Sequence, residues 1–108
     1  MKTGAELIAD ERKRQIEVEG WSTEHDAQYT HNELLNAAMC YCQPESIRTY
    51  NRLWKSKAKP DDINIPPELW PWDKEWWKPT PENRIKELVK AGALIAAEID
   101  RIQNLHKD

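Results

Sequence analysis

A chain of 108 residues, 39% apolar and 32% charged, can bury one modest core, which predicts a single helical domain over 1–108. Its formal net charge of -3 excludes the broad basic surface on which sequence-blind nucleic-acid binding depends. No apolar run approaches a membrane span or resembles a signal peptide, so a cytoplasmic, membrane-free protein is expected.

In chain order, Thr3-Gly-Ala-Glu6 has the form of a capping box and opens a helix over about 4–19, closed by Gly20. Leu7, Ile8 and Val18 define its apolar arc, and Glu11 and Gln15 fall in the middle of that arc. Such a polar pair either links helices through hydrogen bonds or projects into a pocket. A loop from Trp21 to Tyr29 follows, and Thr30-His-Asn-Glu33 repeats the capping pattern before a helix over about 31–42. Cys40 and Cys42, two apart on that helix, point in different directions and read as buried thiols, not a disulfide or a zinc pair. Pro44 can open a further helix over 45–54.

Residues 55–81 hold six of the seven prolines and are expected to be irregular yet ordered, because four tryptophans fall within Trp70-Pro-Trp-Asp-Lys-Glu-Trp-Trp77. Rings so close together form either a knot that pins the loop or a platform for a flat ligand. Thr80-Pro81 is expected to start the longest helix, about 81–104. Its main apolar stripe is Ile85, Leu88, Val89, Gly92, Ile95, Ala96, Ile99 and Ile102, expected to be the buried one. Glu87, Ala91, Leu94 and Glu98 form a second, partly covered face. The fold class is all-α: a small helical bundle with a long Pro/Trp-rich loop. A thin core, two-sided apolar helices and the small residues Ala37, Ala38 and Gly92 further predict a homo-oligomer.

Carboxylates are the first candidates for chemistry. Glu11, Glu24, Asp26 and Glu33 are oxygen ligands of the kind that suit Mg²⁺, with Glu11 and Glu33 the candidate catalytic pair. Arg12, Gln15, Trp21, His25, Trp72, Trp76, Lys78 and Arg84 are the candidate ligand contacts, since stacking and positive charge combine well on a nucleotide. No phosphate loop, dinucleotide fingerprint or cysteine-histidine zinc pattern is present.

The segments Glu11-Arg12-Lys13-Arg14-Gln15, Glu19-Gly20-Trp21, Glu24-His25-Asp26, Glu33-Leu34, Trp70-Pro71-Trp72-Asp73 through Trp76-Trp77-Lys78-Pro79, and Leu88-Val89-Lys90-Ala91-Gly92-Ala93-Leu94 together resemble a family of small bacteriophage and prophage proteins. The likeness spans the chain except about 43–66, and implies action in the host cytoplasm. More distantly, the pattern is similar to the all-α, MazG-like nucleoside triphosphate pyrophosphohydrolases. That likeness implies carboxylate-held Mg²⁺, a metal-activated water and assembly into dimers or tetramers. Glu33 and Glu87 stand where two acidic motifs would begin, but their partner positions hold Asn36 and Lys90. Three functions therefore stay open: a Mg²⁺-dependent pyrophosphohydrolase, a non-catalytic binder of a nucleotide-derived signal that counters host defence, and a structural or protein-binding accessory.

Overall fold

In the computed structural model, which describes residues 1–55 and 59–105, every element is helical and no strand occurs among the described residues. Helix α1 spans Gly4–Glu17, and its capping box is closed: the Thr3 hydroxyl accepts from the Glu6 amide and the Glu6 carboxylate from the Thr3 amide. The helix stops short of 19, and Gly20 then turns the chain at φ 77°. The expected loop after it contains a short helix, α2 (Thr23–Asp26), started by the Ser22 hydroxyl accepting from the His25 amide.

Helix α3 runs Glu33–Cys42, and the second capping box does not form. Asn32 adopts a left-handed conformation, φ 63°, and the Glu33 carboxylate accepts from the His31 amide at 2.6 Å, where a capping box would bring it to the Thr30 amide. Cys40 is buried, with its thiol pushed up to about 12 by desolvation, whereas Cys42 is exposed, against the expectation that both are covered. Helix α4 follows at Glu45–Trp54, as expected after Pro44.

Helix α5 spans Arg84–Leu105, three residues later than Thr80-Pro81 suggests, because the Asn83 side chain accepts the Lys86 amide and takes the cap position. The two faces of α5 are exchanged relative to expectation. Its covered face is Glu87, Ala91, Ala93, Leu94, Ala97 and Glu98, while Ile85, Leu88, Ile95, Ile99 and Ile102 stay exposed. Alanines explain the choice. Ala37 and Ala38 of α3 meet Ala91 and Ala97 of α5 in the core, so the backbones approach closely where side chains are smallest. Gly92 is the corresponding close approach to α1, since a Cβ there would lie 2.5 Å from Cδ1 of Ile8. No described helix is long and apolar enough to cross a membrane.

Trp77 completes the core. It stacks on Tyr41 at 4.8 Å and donates its ring N–H to the Ile63 carbonyl at 3.0 Å, pinning two points of the proline-rich segment to α3. Residues 56–58 of that segment lie outside the described residues. Trp77 is 4% exposed and its neighbour Trp76 61%. Trp77→Ala is therefore expected to cost about 3–5 kcal/mol, and Trp76→Ala less than about 0.5 kcal/mol. Urea unfolding of the two variants checks this, and equal losses would contradict the division of roles.

Candidate functional site

Beside this core, α1, α2, α3, α5 and the tryptophan segment enclose a cavity of about 780 Å³. Of the residues singled out from sequence, Glu11, Gln15, Trp21, His25, Asp26, Trp72, Trp76 and Lys78 line it. The polar pair on α1 is real: Gln15, 2% exposed, donates to Glu11 at 3.2 Å. Arg14 grips the same Glu11 carboxylate through two bonds of 2.7 and 2.8 Å, which holds its carboxyl below the usual range.

Four of the candidates lie outside the cavity. Arg12 donates to the Trp21 carbonyl at 2.9 Å and to Asp100 at 3.4 Å, fastening the 21–26 segment to α5. Arg84 bonds the carbonyls of Tyr41, Cys42 and Gln43, and so closes the C-terminus of α3. Glu24 is exposed, and Glu33 is held by the His31 amide. The four carboxylates do not converge as expected: Glu24 and Glu33 lie outside the cavity, and Glu11 is already neutralised by Arg14. No group of three or more His, Cys, Asp or Glu placed to hold a metal occurs among the described residues.

Sequence reasoning missed Tyr29 and Tyr41, which also line the cavity; Trp70, of the tryptophan cluster, and Lys90, one of the basic groups the sequence offers to a phosphate, line it as well. Lys90 is one residue round from the core face of α5. Its ammonium donates to the Lys78 carbonyl at 3.0 Å and lies 5.2 Å from the Tyr41 ring, and burial lowers its pKa. The periodicity of α5 carried that signal, since Lys90 follows the apolar Val89 and precedes Ala91. The aromatic wall is continuous: Trp70 meets Trp72 edge-on at 5.4 Å, Trp72 meets Tyr29 at 5.6 Å, and Tyr29 meets His25 at 5.7 Å.

Three buried atoms around the cavity have no hydrogen-bond partner within the protein: the Trp72 indole N–H, the Gln15 amide oxygen and one Asp26 oxygen. Buried polar groups are normally satisfied, so these three, closed off from solvent, are a cost the fold carries beside the cavity. Asp26 is 1% exposed. Desolvation raises its pKa, against the His25 imidazole at 3.0 Å and the Arg12 guanidinium at 3.8 Å. No family model, no curated protein and no solved structure matches the chain.

A raised carboxyl pKa means that the fold favours the protonated form, so ionisation of Asp26 weakens the fold as pH rises through that pKa. Asp26→Asn removes the ionisation. It is expected to raise the Tm relative to wild type at pH 7, with the difference closing as pH falls through the carboxylate range. A lower Tm for Asp26→Asn at pH 7 would show that the bonds to His25 and Arg12 outweigh burial.

Proposed function

We propose that the protein is a non-catalytic binder of a nucleotide or nucleotide-derived signal, held in the tryptophan-lined cavity. The observation that carries this reading is a continuous aromatic wall in a cavity of about 780 Å³ that polar side chains also line. A base stacks on Trp72 or Tyr29, with its polar edge toward the Gln15, His25 and Asp26 side chains of the same lining. Lys78 is exposed at the margin and makes no ion pair among the described residues, which leaves its ammonium for a phosphate. Arg14 is not free in the same way, being shared between Glu11 and Glu19. The resemblance to phage proteins supports a host signalling nucleotide as the ligand.

The test is a panel of purine and pyrimidine nucleosides, nucleotides and triphosphates, each with chelator and with Mg²⁺, followed by tryptophan fluorescence, melting temperature and product analysis. At least one nucleotide is expected to bind in chelator. Trp72→Ala is expected to weaken it at least about tenfold, since stacking on an aromatic contributes about 1–3 kcal/mol per base, and Lys78→Ala to weaken the nucleotide more than its nucleoside. No response across the panel would sink the proposal. Turnover with Mg²⁺ would replace it with the pyrophosphohydrolase.

A further inference from the structure

The exposed aliphatic face of α5 has a spacing of its own. Ile85, Leu88, Gly92, Ile95, Ile99 and Ile102 follow one another at intervals of three, four, three, four and three, the seam repeat by which one helix packs into another. The gap at Gly92 is filled by Ile8 of the same chain. The five large residues are between 41% and 66% exposed. Helix α3 runs antiparallel to α5: its last carbonyls meet Arg84 and its first residue, Glu33, lies near Arg101. Helical geometry then sets Leu35 and Met39, also exposed, on the same side, away from the cavity.

We infer that this face is where a second copy of the chain binds, through a two-fold interface centred on Ile95 and Ile99. Two arguments identify the occupant. The first is area: the seven side chains present on the order of 600 Å² per protomer, so that pairing buries about 1,200 Å², the lower bound of a stable specific interface. That is also as large as the largest apolar patch a typical monomer exposes, about 300–600 Å². The second is self-complementarity. A two-fold interface needs a surface that fits itself, and a seam at three-four spacing fits another of identical spacing; among the described helices α5 alone carries it at this length. Ala37, Ala38 and Gly92, the small residues expected to mediate association, are consumed within the chain, so the dimer rests on different residues from those expected.

Light scattering on the purified chain at about 100 μM, with Ile99→Asp and Leu53→Asp measured in parallel, tests the inference. Leu53 is an exposed apolar residue of the other unpartnered helix, α4. Wild type and Leu53→Asp are expected at about twice the 12.7 kDa chain mass, and Ile99→Asp at the chain mass with an unchanged helical circular dichroism spectrum. A monomeric wild type overturns the proposal. So does a dimer that survives Ile99→Asp, or one that only Leu53→Asp dissociates. Should Ile99→Asp fail to fold, Ile99→Gln supplies the readout: it is expected to dissociate at a higher protein concentration than wild type, and an unchanged dimer counts against the seam.

Discussion

One buried ion pair organises the molecule. Arg48 and Glu87 meet at 2.8 Å with both side chains 1% exposed, and neither charge would be tolerated there alone. The guanidinium also bonds the carbonyls of Cys40 and Tyr41 and lies 5.0 Å from the Trp77 ring. Glu87 accepts in turn from the Thr80 amide and from Arg84. A single pair of charges thus ends α3, begins α5, anchors α4 and sets the position of the one fully buried tryptophan.

The cavity inherits its shape from that arrangement. Trp77 is fixed, Trp70 packs edge-on against it at 5.1 Å, Trp72 packs on Trp70, and Tyr29 on Trp72. The rings form a chain from the core to α2 in which each is placed by the one before. At its core end this cluster is a knot around buried Trp77, and at its outer end Trp72 lines the cavity.

Helix existence was legible in the residues because caps and periodicity are local: Thr3 with Glu6, Pro44 before α4, and the long apolar period of α5. Which face of α5 turns inward was not legible. Counting aliphatic residues favours the isoleucine stripe, but the fold buries the alanine face, where backbones come closest and where Arg48 finds Glu87. Part of the cavity was foreseeable, because Glu11 and Gln15 interrupt an apolar arc and tryptophans cluster. Arg12 and Arg84 were misread for a common reason: a guanidinium whose carbonyl acceptors lie on another element, at Trp21 for Arg12 and at Tyr41 to Gln43 for Arg84, has no local signature. Glu33 failed as a cap and as a ligand through one left-handed residue, Asn32, that a capping pattern does not reveal.

Helix α4 is attached in an unusual way. It turns Arg48 and Arg52 inward and Ile47, Tyr50, Leu53 and Trp54 outward, and its backbone packs against no other helix. Its hold on the rest is by guanidinium groups at the ends of long side chains, Arg52 reaching the Pro60 carbonyl as Arg48 reaches Glu87 and the carbonyls of Cys40 and Tyr41. Such tethers are directional at the tip and compliant along the stem. The attachment therefore depends on where two guanidinium tips find their acceptors, and not on the shape of an apolar face. The identities of Ile47, Leu53 and Trp54, on the outer side, are thereby left open to change, whereas Arg48 cannot be shortened to lysine without giving up one of the acceptors that its two terminal nitrogens hold apart.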